Sequence, residues 1–275
     1  MLCNLKELVD AAKKEGYGVP AFNVYNLETV MGVAAAAKEL NAPVIFQVYS
    51  RLFEQGTGEY LAPVILEAIR RLPVPAAFHL DHGSGELAVM RALRAGASGI
   101  MIDASLKPLE ENIETTKQVV AQCDAVGVPV EGELGHIGST KDANPSSFTE
   151  VEEAVRYVEE TGVAALAVMI GTAHGKYKQA PSLNIGRAEE ISRAAGIPLV
   201  LHGGSGVPDD QVRAAVRAGI AKVNFGTDVC CSFLDSVFGV SRDIIALDLF
   251  MKEPVEAVKR FAMEKIRLLG ADGHA

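Results

Sequence analysis

The length, composition and charge of the chain limit the classes of protein to which it can belong. Its 275 residues, 49% hydrophobic and 22% charged, are enough for one globular domain with a large core. The net charge of −9 argues against nucleic acid as the main partner, although an acidic protein can still bind an anionic substrate at a locally positive site.

The N-terminal segment, residues 1–16, predicts an amphipathic helix rather than a targeting signal. It lacks the charged start and the apolar core of a secretory signal. No apolar run in the chain reaches the length needed to span a bilayer. The four cysteines form no CxxC pair, and two of them, Cys230 and Cys231, are adjacent, so we expect reduced thiols. These features predict a cytoplasmic protein without a membrane partner.

Short apolar runs alternate with segments of helical periodicity through the rest of the chain. Each run is nearly continuous in apolar residues, which is typical of parallel strands buried on both faces. The eight predicted strands are Tyr17–Val24, Pro43–Ser50, Pro75–Leu80, Gly99–Ser105, Val128–Leu134, Ala164–Gly171, Ile197–Leu201 and Ile220–Phe225.

Helical segments separate these strands, and several end at a glycine, as expected for C-caps. Eight strand–helix units predict a (β/α)8 TIM barrel in which residues 1–275 form a single domain. A doubly wound sheet is the alternative, but it usually has fewer strands or a second domain. We expect the end of the chain, residues 271–275, to fray. The predicted helices are Leu27–Leu40, Tyr60–Leu72, Glu86–Ala95, Leu109–Val126, Glu150–Thr161, Ile185–Ala195, Asp209–Ala218 and Lys252–Leu269.

Polar residues collect at the carboxyl ends of the predicted strands, where a barrel builds its active site. Almost every strand contributes one, whereas chance placement would scatter them over both ends of the barrel. They are Asn23, Ser50, Asp81, His82, Asp103, Glu131, Glu133, Thr172, His174, His202, Gly203, Gly204, Ser205, Asn224 and Thr227.

Three histidines, His82, His174 and His202, follow the third, sixth and seventh strands. Equivalent strand ends meet at one rim, so we expect the imidazoles to converge. Three imidazoles with an open fourth position are typical of catalytic zinc, which can hold a carbonyl or enolate oxygen there. One histidine alone is more often a packing residue, but three at equivalent positions favour the metal. His79 is predicted to pack, and His136 to contact a loop or the substrate.

Carboxylates accompany these histidines. Asp81 precedes His82, and alternation along a strand would put the two side chains on opposite faces. At the strand end, Asp81 is predicted either to exchange a proton with a substrate hydroxyl or to orient an imidazole. Asp103 and Glu133 predict an alternative metal position, a second cation or ordinary ion pairs, and the residues alone do not separate these alternatives.

Two glycine-rich segments predict a phosphate site. The first runs from His202 through Gly203, Gly204 and Ser205, and the second includes Asn224, Gly226 and Thr227. Backbone N–H groups in such loops can point at one anion, and barrels commonly bind phosphate after the last two strands. Lys178 would add positive charge.

Motifs through most of the chain resemble the class II fructose-bisphosphate/tagatose-bisphosphate aldolase family. HLDHG, GTAHG and LHGGSG, in this order and spacing, form a highly specific set, and the chain looks like the shorter branch of the family. The motifs are AFNVYNLE (21–28), HLDHG (79–83), VMRALRAGASGIMIDAS (89–105), EGELGHIG (131–138), GTAHGKYK (171–178), LHGGSG (201–206) and KVNFGTD (222–228).

The resemblance implies an aldolase that splits or joins a ketose phosphate, with dihydroxyacetone phosphate as the enediolate-forming half. It implies that the three histidines hold Zn²⁺ and that Asp81 exchanges the proton of the C4 hydroxyl, with Asp103 and Glu133 as acids of a second divalent site. It also implies a monovalent cation near the phosphate and a homodimer or homotetramer. Gly175, Lys178, Gly203, Gly204, Ser205, Asn224 and Thr227 match positions around dihydroxyacetone phosphate.

Two segments depart from the family pattern. Lys141 stands where the family carries the glutamate proposed to protonate the enediolate carbon, with Asp142 next to it. Residues 237–254 lack an Asp-Pro-Arg segment that helps to hold the distal phosphate, and Arg242 is the nearest candidate replacement. These departures leave open a different aldehyde half, such as that of a deoxy-ketogluconate phosphate.

Other enzyme and binding classes fit the residues less well. A barrel hydrolase commonly carries a His-x-His pair on its first strand, which here offers Asn23. A Schiff-base aldolase needs a lysine inside the barrel at mid-strand, and Lys222, early in the last strand, is predicted to point to the wrong end. A non-catalytic sugar-phosphate sensor is favoured only by Lys141.

Overall fold

The protein, described here by a computed structural model over residues 1–140 and 148–275, is built around a closed barrel. Eight parallel strands pair in chain order, and the last pairs with the first. This topology confirms the predicted (β/α)8 TIM barrel. The strands are β1 (Val19–Asn23), β2 (Val44–Tyr49), β3 (Ala76–Gly83), β4 (Gly99–Ile102), β5 (Val130–Leu134), β6 (Ala165–Val168), β7 (Leu199–Leu201) and β8 (Ile220–Phe225).

Helices surround the barrel, and each predicted helix is present within a few residues of its expected bounds. In the described residues, no helix is long and apolar enough to cross a membrane. The helices are α1 (Leu5–Glu15), α2 (Leu27–Glu39), α3 (Ser50–Glu54), α4 (Thr57–Arg71), α5 (Glu86–Arg94), α6 (Leu109–Asp124), α7 (Val151–Thr161), α8 (Ile185–Ala195), α9 (Asp209–Arg217), α10 (Thr227–Gly239), α11 (Leu247–Phe250) and α12 (Lys252–Leu268).

Helices α3, α10 and α11 were not predicted. Two of them are too short to show a helical period. Helix α10 has 13 residues, but only Val229 is buried, so it carries no apolar stripe of the kind that marks a helix packed on a core.

Helix α1 closes the end of the barrel at which the strands begin. Asn4 and Glu7 form a capping box at its start, with reciprocal hydrogen bonds of 2.8 and 2.9 Å. Leu5 is fully buried against Gly99, where an added Cβ would lie 2.7 Å from the Leu5 Cβ atom. Because this end is covered, we expect a ligand to enter from the end at which the strands finish.

The end of the chain packs against the barrel, so the expectation that residues 271–275 fray is wrong. Ala271 is fully buried. The His274 imidazole lies 2.8 Å from the Glu15 carboxylate, and its ring lies 4.3 Å from the Tyr17 ring. These contacts hold the tail beside α1.

Candidate active site

A cavity of about 450 Å³ opens at the carboxyl ends of the strands. It brings together residues at the ends of all eight strands or in the segments that follow them, as the strand-end rule for barrels predicts. The predicted site residues that line it are Asn23, Asp81, His82, Asp103, His174, Gly175, Gly203, Ser205, Asn224, Gly226 and Thr227.

Other predicted residues lie outside the lining of this cavity. His202 and Glu133 are completely buried beneath it, and Ser50 is buried where α3 begins. Gly204 does not line the cavity, and its amide donates to the Asn224 carbonyl at 3.2 Å. Lys178 is exposed, and Lys141 and Asp142 lie outside the described residues.

The backbone at His82 explains how two adjacent residues both reach the cavity. Alternation along β3 directs His79 and Asp81 to the inside of the barrel and would direct His82 outward. However, His82 has φ +47°, in the left-handed region, and the pairing of β3 with β4 shifts register between Leu80 and Gly83. The irregular turn of the chain brings the His82 ring to the cavity beside the Asp81 carboxylate. A left-handed residue other than glycine is strained by about 1–3 kcal/mol, so the surrounding structure must hold it.

The three predicted metal ligands converge. The His82 Nε2 atom lies 3.2 Å from the His174 Nε2 atom and 3.0 Å from the His202 Nδ1 atom. Two nitrogens bound to the same tetrahedral zinc ion would lie about 3.3 Å apart, given Zn–N bonds of 2.0–2.1 Å. The observed separations therefore match the edges of a zinc coordination shell.

The outer nitrogen of each imidazole has a hydrogen-bond acceptor. The His82 Nδ1 atom lies 2.8 Å from Asp103 Oδ2, and the His174 Nδ1 atom lies 3.0 Å from the Ile137 carbonyl. The His202 Nε2 atom lies 2.8 Å from Glu131 Oε1. When these outer nitrogens carry the protons, all three inner nitrogens present lone pairs to one point. Lone pairs so close together repel each other unless a cation lies between them.

Buried acids make the centre favourable for positive charge. The Glu133 Oε2 atom has no hydrogen-bond partner among the described residues and lies 3.8 Å from His202 Nδ1. Burial, and next the charge of Asp103, raise the pKa of Glu133 to about 8. Burial disfavours a charged His82, but Asp81, Asp103 and Glu133 outweigh it and raise the pKa of His82 to about 9. This donor set, with an unpartnered carboxylate oxygen aimed at it, fits a divalent cation.

Asp103 and Glu133 also form a group with His82 whose ligand atoms lie within 4.8 Å of one another. However, Asp103 accepts hydrogen bonds from the Ser105 hydroxyl at 2.7 Å as well as from His82. It therefore orients the His82 ring in this arrangement.

A buried ion pair that was not predicted from the sequence supports His202 from below. The Glu131 carboxylate binds His202 through Oε1 and the Lys222 ammonium through Oε2, at 2.8 Å each. Glu131 and Lys222 are completely buried, and they link β5 and β8, which are not neighbours in the sheet, through the barrel interior. The expectation that Lys222 points to the wrong end is thus wrong. The lysine lies inside the barrel, but its ammonium is held by Glu131.

We expect replacement of Glu131 by glutamine to weaken metal binding by about 10–100-fold, the range found for residues that orient metal ligands. Glutamine offers one oxygen for two donors, and the charged lysine would form the stronger hydrogen bond to it. The amide N–H would then face His202 Nε2 and favour a proton on Nδ1, the nitrogen that faces the other imidazoles. Competition with a chelator measures the change. Glu111→Gln, on the exposed face of α6, should leave the affinity unaltered, and an unaltered affinity in Glu131→Gln would refute this role.

Asp81 is held by two asparagines. Asn23 Nδ2 donates to Asp81 Oδ2 at 2.7 Å, and Asn224 Nδ2 donates to Oδ1 at 3.2 Å. The carboxylate lies 4.0 Å from His82 Nε2 and lines the cavity without being hydrogen-bonded by that ring. Asp81 is therefore fixed beside the metal ligands, where its oxygens can accept a proton from a bound molecule.

The predicted phosphate loops form one wall of the cavity. Gly203 has φ +65°, and an added Cβ would lie 2.5 Å from the Ala173 carbonyl oxygen, so only glycine fits. Gly226 and Thr227 line the same wall, and α10 begins at Thr227. Backbone N–H groups at the start of a helix attract anions. The arrangement can therefore hold a phosphate.

Seven further residues line the cavity, and three of them, Tyr25, Tyr49 and Arg51, were not singled out as site residues. The other four are Ile137, Gly138, Ser139 and His136, whose Nδ1 atom lies 3.2 Å from the Ser105 hydroxyl. Tyr49 ends β2, and Arg51 lies in α3 directly after it. Because α3 begins as soon as β2 ends, the chain turns at the rim of the barrel. The apolar pattern of a strand does not reveal such a turn.

Known proteins resemble the chain over its whole length. The family model described as "Fructose-bisphosphate aldolase class-II" matches residues 3–274. A 6-phospho-5-dehydro-2-deoxy-D-gluconate aldolase of Bacillus licheniformis is 36% identical over 280 residues, which cover 99% of this chain and 96% of the relative. A fructose-bisphosphate aldolase of Staphylococcus aureus is 36% identical over 287 residues, with coverage of 100% and 99%. The crystal structure of the YdjI aldolase of Escherichia coli K12 superposes with a TM-score of 0.91 at 34% identity, and all of both chains are covered.

The barrel, the clustered histidines and these matches agree with the resemblance carried by the sequence motifs. The relatives are named for different substrates, but all of them are aldolases. The chain therefore belongs to the class-II fructose-bisphosphate aldolase family and is a carbon–carbon lyase.

Proposed function

We propose that the protein is a zinc-dependent aldolase that cleaves or forms a carbon–carbon bond of a ketose phosphate, with dihydroxyacetone phosphate as the enediolate-forming half. One observation carries the proposal: three imidazole nitrogens face one point at separations that suit zinc, while each outer nitrogen is bound to an acceptor. A bound zinc ion would polarise the ketone and stabilise the negative charge that bond cleavage leaves on its oxygen.

The side chains around that point have distinct tasks in cleavage. The Asp81 carboxylate takes the proton of the C4 hydroxyl, so that this oxygen becomes the carbonyl of the departing aldehyde. Asn23 and Asn224 each donate to Asp81 and hold its oxygens in place. Aldol addition reverses the step, and Asp81 returns the proton.

The phosphate of dihydroxyacetone phosphate would lie against the wall built by Gly203, Ser205, Gly226 and Thr227. These residues line the cavity on the side of β7 and β8. The Ser205 hydroxyl is positioned there by the Asp228 amide, which donates to it at 3.2 Å. Backbone donors at fixed positions can recognise a phosphate without a lysine, and Lys178 is exposed and is not among the residues that line the cavity.

The candidate substrates differ in their aldehyde half. A fructose-1,6-bisphosphate or tagatose-1,6-bisphosphate is the first candidate, and a deoxy-ketogluconate phosphate is the second. Relatives at 36% identity carry names of both kinds. All of these substrates share the dihydroxyacetone phosphate half, which the phosphate wall would bind. The proposed reaction is therefore the same for each of them.

We also infer a homo-oligomer, a dimer or a tetramer, because α10, α11 and the segment between them expose large apolar side chains. Phe238 is 83% exposed and Ile245 is 92% exposed. Large apolar patches on a protein surface commonly mark sites of interaction with another chain. We expect light scattering to give a mass of two or four chains, and Ile245→Glu to lower it. A monomeric wild-type protein would contradict the inference.

One experiment tests the proposed reaction. The zinc-loaded protein is incubated with ketose mono- and bisphosphates, and the release of dihydroxyacetone phosphate is followed with a coupled reductase. We expect release from at least one of them, its loss after treatment with EDTA and its return with zinc. Turnover that persists without metal, or a covalent adduct between substrate and protein trapped by borohydride, would indicate a Schiff-base mechanism instead of a zinc-dependent one.

A further inference from the structure

A single arginine gives the cavity its permanent positive charge. Among the described residues that line the cavity, Arg51 is the only lysine or arginine. The other charged side chains there include the carboxylates of Asp81 and Asp103. An anionic group on a substrate would therefore find one fixed cation in this cavity apart from the metal centre.

The guanidinium of Arg51 is free to bind a ligand. Within the described part of the chain, no carboxylate oxygen lies within 4.0 Å of a nitrogen of the Arg51 guanidinium, the limit for an ion pair. Arg156 and Arg187, in contrast, are paired with glutamates at 2.6 and 2.7 Å. The Arg51 Cζ atom lies 5.4 Å from the centre of the Tyr49 ring. An aromatic ring steadies a guanidinium through a cation–π contact and leaves its in-plane N–H groups available.

Arg51 lies on the side of the cavity where the aldehyde half would be bound. Tyr49, at the end of β2, pairs in register with Asp81 on β3, and Arg51 follows two residues later. The phosphate wall follows β7 and β8 instead. Since Asp81 takes the proton of the C4 hydroxyl, the carbons beyond C4 lie beyond Asp81, away from the phosphate wall. Arg51 lies on this side of the cavity. Arg242, the other candidate for a distal group, is exposed and does not line the cavity.

We propose that Arg51, steadied by Tyr49, binds an anionic group at the far end of the aldehyde half and so selects anionic aldehydes. The inference rests on the proposed function, because it takes the position of the aldehyde from the role of Asp81. A guanidinium can donate two parallel hydrogen bonds to a phosphate or to a carboxylate. Both groups share this chemistry, and the choice of aldehyde in the experiment separates them.

The test compares aldol addition of dihydroxyacetone phosphate to three aldehydes in the zinc-loaded protein. They are glyceraldehyde 3-phosphate, malonate semialdehyde and neutral glyceraldehyde. We expect Arg51→Met to lower kcat/KM by about 10–100-fold for whichever anionic aldehyde the wild type prefers, the range for one lost charge-assisted contact. The value for neutral glyceraldehyde should change by less than about threefold. Arg51→Lys keeps the charge and loses the paired donors, so its kcat/KM for the anionic aldehyde should lie between those of the wild type and of Arg51→Met.

Arg217→Met is the matched control. Arg217 is exposed at the end of α9 and has no ion pair among the described residues, so the change removes the same charge away from the cavity. Equal losses for all three aldehydes, or a higher KM for dihydroxyacetone phosphate, would place Arg51 at the shared phosphate and overturn the inference. No loss in Arg51→Met would overturn it as well. Absence of metal-dependent addition in the wild type would instead overturn the proposed function.

Discussion

Replacement of His202 by alanine is expected to abolish both metal binding and turnover. His202 supplies one of the three nitrogens that meet at the centre, and its Nδ1 atom lies 3.0 Å from His82 Nε2. With two imidazoles left, the site loses a ligand, and we expect a fall in zinc affinity of more than about 10²-fold, beyond the effect of losing a residue that only orients a ligand. Zinc content after dialysis, measured by mass spectrometry, and the rate of ketose phosphate cleavage report the two losses.

His136→Ala is the control for this variant, because His136 lines the same cavity without joining the cluster. It should retain one zinc ion per chain. A melting curve of the metal-free proteins checks that His202→Ala folds, since Glu131 keeps Lys222 as a partner after the ring is removed. A His202→Ala protein with full zinc content and a normal rate would remove His202 from the ligand set.

The convergence of the histidines could be predicted because strand order alone brings equivalent ends of parallel strands to one rim. His82, His174 and His202 are separated by up to 120 residues, yet each follows a buried strand. The same rule predicted Asp81 and Asn224, both of which line the cavity. Such a prediction requires only the period of the pattern and the position of each polar residue at a strand end.

The local backbone could not be predicted in the same way. Alternation separates Asp81 from His82, and only the left-handed conformation of His82 with the register shift in β3 brings the two together. A single strained residue leaves no mark on an apolar pattern. The frayed tail was wrongly predicted for a related reason, since composition does not reveal the contacts of His274 with Glu15 and Tyr17.

Contacts between side chains from distant strands were also missed. Glu131 was predicted only as one of the polar residues at the strand ends, and Lys222 was predicted to point to the end of the barrel away from the site. Their significance depends on the closure of the barrel, which lets side chains of β5 and β8 meet in its interior and places each oxygen of the Glu131 carboxylate 2.8 Å from a partner. Arg51 was overlooked because the helix that carries it begins where β2 ends. The sequence reveals residues at strand ends more readily than pairs that the fold creates.

Replacement of Asp81 by alanine is expected to lower kcat by about 10²–10⁴-fold while zinc stays bound, since the lost group moves a proton and is not one of the three clustered imidazoles. Asp81→Asn should lose as much as Asp81→Ala, because an amide of the same shape cannot take the C4 proton. A normal rate in either variant would exclude Asp81 as the base for this step.

A second measurement separates this role from simple damage to the site. Exchange of the carbon-bound proton of dihydroxyacetone phosphate with deuterated solvent needs the phosphate wall and the metal site but no C4 hydroxyl. Asp81→Asn should therefore retain exchange within about tenfold of the wild type while cleavage falls by the larger factor given above. Parallel losses of exchange and cleavage would mean that Asp81 acts by holding Asn23, Asn224 and the histidines in place, because its carboxylate bonds to both asparagines. The ratio of the two rates thus distinguishes a carboxylate that accepts the proton from one that only holds its neighbours in place.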